Sequence, residues 1–170
     1  MNLSSSAAGR RGPLLLLVLF MAGVAQTTLA PRLFFFGGQP DFVFAVVIAA
    51  ALLAEAGLGA LLGLGGGLIT AALVGETVGT FLVSRTLAGF AAGAMGGRLF
   101  RSNAGVVFLG ALLASAVAEG VYVLAAPGPA AVASGGAGLR AILVGTAWNA
   151  VLAVPASALL RRMGWGPDTI

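Results

Sequence analysis

The feature that most constrains this chain is an apolar run from residue 42 to residue 74 in which Glu55 is the only ionisable side chain. As one continuous helix these 33 residues would be about 50 Å long, whereas the hydrocarbon core of a bilayer is about 30 Å thick. We therefore predict that the chain folds back near Glu55 and forms a helical hairpin with legs at 42–54 and 57–74. The first leg is short enough to be tilted, re-entrant or partly interfacial, so whether it crosses the membrane fully stays open.

Apolar segments of similar character fill most of the remaining chain. Only 8% of the 170 residues are charged, against about 25% in an average soluble domain. We therefore predict an all-α integral membrane protein, a six-transmembrane-helix bundle with no separate soluble domain. The predicted spans are 13–30, 42–54, 57–74, 77–97, 104–126 and 139–160, with a disordered N terminus at 1–12, a single transmembrane domain at 13–163 and a tail at 164–170.

The first span has the composition of a signal peptide as well as that of a retained helix. A cleavage site after Ala30 would place Pro31 next to the cut, which disfavours cleavage, and the apolar run is longer than a usual signal core. We therefore predict that this helix is retained.

The distribution of arginines predicts the orientation. With six crossings and a cytoplasmic N terminus, Arg32 and Arg140 lie outside and six arginines lie inside, whereas a hairpin that crosses only once leaves three inside and five outside. Because cytoplasmic loops carry an excess of Arg and Lys, six crossings with both termini in the cytoplasm are favoured. The six arginines predicted inside are Arg10, Arg11, Arg98, Arg101, Arg161 and Arg162.

The residue types that are missing exclude several kinds of chemistry. The chain contains no His, Cys or Lys, so metal sites with Cys or His ligands, Ser-His or Cys-His nucleophiles and Lys Schiff bases are all excluded. A hydrolase with two carboxylates would need Glu55 or Glu76 near Glu119, but both lie at predicted span ends. The arginines are dispersed beside apolar runs, which does not favour nucleic-acid binding. We predict no enzyme activity, no cofactor and no metal.

Two ionisable residues lie deep inside predicted spans, where a lipid-facing charge is costly. Arg85 is eight residues from Thr77, and Glu119 is seven residues from Ala126, so both lie about 11 Å below the outer end of their helices. Matching depth on consecutive antiparallel helices predicts that they pair with each other. The pair could be a structural clamp between two helices, which we favour, or a binding site for a ligand or a partner helix.

Small residues recur at helical spacing and predict close helix packing. Glycines four residues apart line one face of a helix and allow two backbones to approach, which is how helices associate in lipid. This pattern favours internal packing over a homo-oligomer interface, which stays an alternative. Gln26 and Asn149 are polar residues that we expect to form hydrogen bonds between helices. The glycines are Gly59, Gly63 and Gly67 on the third span and Gly89, Gly93 and Gly97 on the fourth.

The order of these features resembles the rod shape-determining protein MreD family over residues 13–163. None of the elements is specific alone, and their order and spacing carry the resemblance. One departure is Ala71, which stands where members of the family often have an acid, so no role of that acid transfers. The elements are Gln26-Thr27-Thr28-Leu29, Pro40-Asp41, Gly75-Glu76-Thr77-Val78-Gly79, the basic loop Arg98 to Asn103, Glu119, and Asn149 followed by Pro155.

The resemblance implies a non-enzymatic, multi-pass component of the bacterial inner membrane. Proteins of this family bind the bitopic protein MreC and help to connect MreB filaments to peptidoglycan synthesis, so that the elongation machinery maintains rod shape. The expected partners are therefore an MreC-like protein, other elongation proteins including MreB, and the lipid bilayer.

The fold of this family is also similar to that of the substrate-binding subunits of energy-coupling-factor vitamin transporters. This similarity provides the alternative function, a subunit that captures a small solute. A capture subunit requires a polar pocket open to the outside with several convergent hydrogen-bonding groups. The sequence offers few such groups, namely Arg85, Glu119, Gln26, Asn149 and scattered Ser and Thr.

Overall fold

The computed structural model describes residues 4–75, 78–99, 103–125 and 135–166, and within these it describes the side chains of 12–75, 78–96, 103–125 and 138–166. The described chain is all-α and contains no β-strand, which confirms the all-helical part of the predicted fold class. A short 3₁₀ helix at Ala30–Leu33 follows the first α-helix. The six α-helices are α1 (Ser4–Thr28), α2 (Phe42–Leu52), α3 (Ala56–Val74), α4 (Val78–Leu99), α5 (Ala104–Ala125) and α6 (Gly135–Arg162).

Four of the helices are long and apolar enough to cross a membrane. Their apolar segments are Ala56–Val74, Val78–Gly96, Ala104–Ala125 and Gly138–Arg162, so they belong to α3, α4, α5 and α6. The apolar part of α1, Gly12–Thr28, and the whole of α2 are shorter. The chain therefore has the character of an integral membrane protein, with two shorter apolar segments beside four long ones.

The start of α1 differs from the sequence prediction. Residues 1–12 were expected to be disordered, but the helix begins at Ser4 and continues through Pro13 into the apolar segment. Ala7, Ala8, Arg10 and Arg11 have high helix propensity but Gly9 and Gly12 have low propensity, so this N-terminal part of α1 depends on its continuity with the helix of the apolar segment.

The short helix α2 is the centre of the bundle. All residues from Val43 to Leu52 are buried, and α2 contacts each of the other five α-helices. Its 11 residues span about 16 Å, which is too short to cross a bilayer core alone. Because it is enclosed by protein, its ends can be satisfied by neighbouring side chains instead of water. The predicted reversal near Glu55 is present, between Leu52 at the end of α2 and Ala56 at the start of α3.

Helices α3 and α4 form the closest helix pair, through the glycines predicted to pack. A Cβ atom added at Gly59 would collide with the carbonyl oxygen of Gly89, and one at Gly63 would collide with that of Arg85. Gly93 lies in the same way against the Glu55 carbonyl. Close backbone approach of this kind is how small residues hold helices together in lipid.

Two further glycines complete the description of this interface. Gly67 also lies in it, against the Phe81 carbonyl. Gly96 extends the contact to the backbone of Leu52 at the end of α2. The predicted packing of Gly97 lies outside the described side chains.

Candidate functional site

Three polar side chains hold the N terminus of α2. Asp41 is the N-cap residue, and its Oδ1 accepts a hydrogen bond from the Phe44 N–H at 2.9 Å. Gln26 on α1 accepts from the Phe42 N–H through Oε1 at 2.7 Å. Asn149 on α6 accepts from the Asp41 N–H through Oδ1 at 3.0 Å. The first N–H groups of a helix have no partner within the helix, so these contacts satisfy donors that would otherwise be buried without one.

Arg85 joins this helix start to α5 through two carboxylates. Its Nη2 lies 3.1 Å from Asp41 Oδ2, and its Nη1 lies 3.4 Å from Glu119 Oε1. The structure therefore brings Arg85 and Glu119 together, as their matching depth predicts, and adds Asp41 as a third member. We call Asp41, Arg85 and Glu119 the charged cluster.

Aromatic rings fix the position of the guanidinium group. Arg85 Cζ lies 3.7 Å from the centroid of the Phe44 ring and 5.5 Å from that of Phe81. The Phe81 ring in turn lies 5.2 Å from the ring of Tyr122 on α5. Arg85 is only 6% exposed, so these cation–π contacts occur in a largely dehydrated environment, where they are strongest. The guanidinium group is thus held on its faces by rings and at its edge by carboxylates.

The charged cluster lines a cavity of about 460 Å³. Gln26, Asn149, Thr70 and Tyr122 line the same cavity, so with Arg85 on α4 all five helices other than α2 contribute polar groups to its wall. The lining residues come from the C-terminal halves of α1, α3 and α5, from the N-terminal half of α4, and from the N-terminal half and middle of α6, so the helices alternate in direction around the cavity. We call this the cavity end of the bundle, and the end at the α2–α3 reversal the opposite end.

The connection between the 3₁₀ helix and α2 forms one wall of the cavity. Phe35 and Gly38 exchange two backbone hydrogen bonds of 3.1 Å, which close a tight turn around Phe36 and Gly37. Gly37 has a φ of 88°, a conformation that glycine adopts without strain. Gly38 packs directly against Val144 of α6. The turn is therefore fixed against α6 at the cavity mouth.

Two buried polar groups at the cavity have no hydrogen-bond partner. Thr70 on α3 is 2% exposed, and its Oγ1 is unpartnered. The Nε of Arg85 is also unpartnered. Buried polar groups normally have partners, because an unmade hydrogen bond there costs about 1–3 kcal/mol. The hydroxyls of Thr86, Ser115 and Thr146 are also buried without a partner, and of these four hydroxyls that of Thr70 borders the cavity.

The opposite end of α2 is closed without charged groups. The indole Nε1 of Trp165 donates to the carbonyl oxygen of Ala50 at 3.1 Å. The N–H groups of Leu53 and Ala54 donate to the carbonyls of Ala50 and Ala51 at 3.2 and 3.0 Å. The last carbonyls of the helix are thereby satisfied by the residues that follow α6 and α2 in the chain.

The sequence located four of the site residues but not their complete arrangement. Gln26, Arg85, Glu119 and Asn149 all line the cavity. Asp41 is present in the sequence only as part of the Pro40-Asp41 element, which gives no sign that it contacts Arg85. Thr70 carried no signal, because a single threonine in an apolar helix usually bonds to its own backbone.

The charged side chains of the site pair with one another. No three His, Cys, Asp or Glu side chains cluster as metal ligands within the part of the chain that the structure describes. Asp41 and Glu119 each bond to Arg85, which holds them as charge partners.

Comparisons with known proteins identify no family, because no family model, no curated protein and no solved structure matches the chain.

Proposed function

We propose that this chain is a non-enzymatic scaffold of the bacterial inner membrane that serves the cell-elongation machinery. In this role it binds an MreC-like single-span protein and helps to link MreB filaments to peptidoglycan synthesis, which maintains rod shape. In this arrangement both termini lie in the cytoplasm and the short helix α2 is enclosed by the other five, so the cavity end faces the periplasm.

One observation carries this proposal. The elements on which the resemblance to the MreD family rests are far apart in sequence, yet Gln26, Asp41, Glu119 and Asn149 all line one cavity around the start of α2. Elements that contribute to a single site are expected to occur together in a family, whereas elements that match by chance are expected to be scattered over the bundle. Their convergence therefore supports a common origin for the pattern.

The charge of the helix ends supports the proposed orientation. The last turn of α6 carries Arg161 and Arg162 at the opposite end, while Arg140 lies in the N-terminal half of α6 beside the cavity mouth. Under the positive-inside rule, the end with more arginines faces the cytoplasm.

Co-purification tests the scaffold proposal. The full chain, tagged and extracted from the native membranes in mild detergent, is expected to retain a single-span protein with a large periplasmic part, identified by mass spectrometry. The variant with Asp41→Asn and Glu119→Gln is the comparison, because it removes two charges and keeps the shapes of both side chains. Recovery of the wild-type chain without any bitopic partner would count against the proposal.

Depletion tests the cellular role. In a rod-shaped native host, loss of the protein is expected to produce round cells before growth stops. Re-expression of the wild-type chain restores the rods. Unaltered morphology after complete depletion would contradict a role in cell shape.

The cavity itself favours a second candidate, the solute-capture subunit of an energy-coupling-factor type transporter. Its volume lies within the range of about 300–1,000 Å³ that small-molecule sites occupy. Under this alternative, the purified chain carries a small molecule and co-purifies with a transport ATPase module instead of a bitopic protein. The same mass-spectrometry experiment therefore separates the two functions.

A further inference from the structure

The charged cluster contains more negative than positive charge. Asp41 and Glu119 share one guanidinium group, so the cluster carries one uncompensated negative charge when both carboxylates are ionised. The N terminus of α2 offsets roughly half a charge at Asp41. Arg140 lies beside Gly37 at the mouth, but its side chain is exposed and water screens it. The deep part of the cavity therefore stays negative.

The donors and acceptors of the cluster are also unequal. Two of the three guanidinium nitrogens of Arg85 already bond to carboxylates, and the third is buried. A carboxylate can accept about four hydrogen bonds. Glu119 receives one from Arg85, and Asp41 receives one from Arg85 and one from the Phe44 N–H. Arg85 has five N–H donors, of which three are unused, whereas about five of the eight acceptor positions of the two carboxylates are unused, so the cluster has acceptors in excess, which suits a donor ligand.

We propose that the cavity binds an organic cation, whose ammonium or guanidinium group enters from the cavity end and bonds to the carboxylates of Asp41 and Glu119. The Thr70 hydroxyl supplies a further hydrogen bond, and the faces of Phe81 and Tyr122 border the positive group. The volume of about 460 Å³ accommodates a cation with an apolar body. This inference goes beyond the scaffold function and does not depend on it.

Two sources can supply this chemistry, a lysine or arginine side chain of a membrane partner and a free amine. Both present the same donor group to the same carboxylates. They differ in what surrounds the donor, because a side chain arrives with flanking backbone amides and a free amine does not. The probes are chosen to separate these sources.

Calorimetric titration of the purified full chain in detergent tests the proposal. The probes are n-butylammonium chloride, sodium butyrate and n-butanol, which share an apolar body and differ in charge. We expect saturable binding of butylammonium and none of butyrate or butanol. Equal or tighter binding of butyrate, or no saturable binding of butylammonium, would overturn the proposal.

Matched variants assign the binding to the cluster. Asp41→Asn keeps a residue that caps helices well, and Glu119→Gln keeps the side-chain shape. Each is expected to weaken butylammonium binding at least about tenfold, since a hydrogen bond to a charged group is worth roughly 1.5–3 kcal/mol. Glu55→Gln is the control, because Glu55 is exposed at the opposite end. Unchanged affinity in folded Asp41→Asn protein contradicts the proposal even if Glu119→Gln fails to fold.

A peptide probe identifies the source. Nα-acetyl-lysine-N-methylamide presents the ammonium group with flanking amides. Binding at least tenfold tighter than that of butylammonium assigns the site to a partner's side chain, and weaker binding assigns it to a free amine. Either result supports cation binding. The scaffold function fails separately, through the absence of a bitopic partner in the co-purification.

Discussion

The two ends of α2 solve the same problem in different ways. Both termini of the helix lie inside the bundle, and both have backbone N–H or C=O groups that need hydrogen-bond partners. At the opposite end, Trp165 and the reversal after Leu52 satisfy the carbonyls, and the packing against Gly96 leaves little space. At the cavity end, side chains satisfy the N–H groups, but a cavity of about 460 Å³ is left. The helix is therefore closed at one end and open at the other.

The difference between the two ends shows which polar side chains at the cavity end are needed to cap α2. Capping α2 requires Asp41, Gln26 and Asn149, which bond directly to its first N–H groups. Glu119 and Thr70 make no contribution to the cap among the described hydrogen bonds, yet both line the cavity. A purely structural end would not need a second carboxylate or an unpartnered hydroxyl. The cavity end thus contains groups in excess of what its fold requires.

The largest expected effect comes from removal of the central cation of the cavity end. Arg85→Ala leaves two partly buried carboxylates near each other without a partner, which is expected to cost up to about 3–5 kcal/mol of stability. Unfolding in mixed micelles by increasing SDS measures this loss. Adding Asp41→Asn and Glu119→Gln to the variant is expected to restore much of it. Arg140→Ala, at an exposed position, serves as the control, and equal effects at both arginines would contradict the account.

The second-largest effect is expected at the tightly packed interface between α3 and α4 near the opposite end. Gly59→Ala places a methyl group against the Gly89 carbonyl, so the two helices must separate, at an expected cost of about 1–3 kcal/mol. Gly65→Ala on the same helix meets no atom within 4 Å and is expected to be neutral or slightly stabilising. The same unfolding assay applies. A loss of equal size at Gly65 would show that the glycine contacts do not hold α3 and α4 together.

A smaller effect is expected at the cap of the opposite end. Trp165→Phe keeps a ring but removes the donor to the Ala50 carbonyl, at an expected cost of about 0.5–1.5 kcal/mol. Trp148→Phe is the control, since Phe retains a ring that can contact Phe35. A loss no larger than that of the control would mean that this end does not depend on the indole hydrogen bond.

The smallest effect on stability is expected at Thr70, and it shows whether the Thr70 hydroxyl serves a ligand or the fold. Thr70→Val keeps the shape and removes a hydroxyl that has no partner, so stability is expected to stay constant or rise slightly. Ser84→Ala provides the contrast, because its hydroxyl bonds to the Phe81 carbonyl at 3.2 Å. Thermal unfolding in detergent measures both. Marked destabilisation by Thr70→Val would assign this hydroxyl to the fold instead of a ligand.

Much of the architecture could be predicted from simple lengths and depths. The 33-residue apolar run is too long for one helix, which predicts the reversal near Glu55. Equal depth on two regular helices predicts the contact between Arg85 and Glu119, because the rise per residue is constant. The glycine spacing predicts the packed face for the same reason.

The rest could not be predicted because it depends on irregular segments. Asp41 reaches Arg85 only because the connection before α2 turns at Phe36 and Gly37, and no periodic rule gives the depth of such a segment. Trp165 caps α2 from a position more than a hundred residues away, after the last helix ends. The cavity is a property of how all six helices meet, so no single segment of sequence encodes it.

Thiol labelling tests most directly whether the cavity end is an accessible outer binding site. The chain has no cysteine, so single Cys substitutions report on one position each. Gln39→Cys, at an exposed position of the cavity wall, is expected to react with a membrane-impermeant maleimide in intact spheroplasts, and butylammonium is expected to slow this reaction. Glu55→Cys is expected to react only after permeabilisation. Labelling of Glu55→Cys from outside, with Gln39→Cys protected until permeabilisation, would contradict the account.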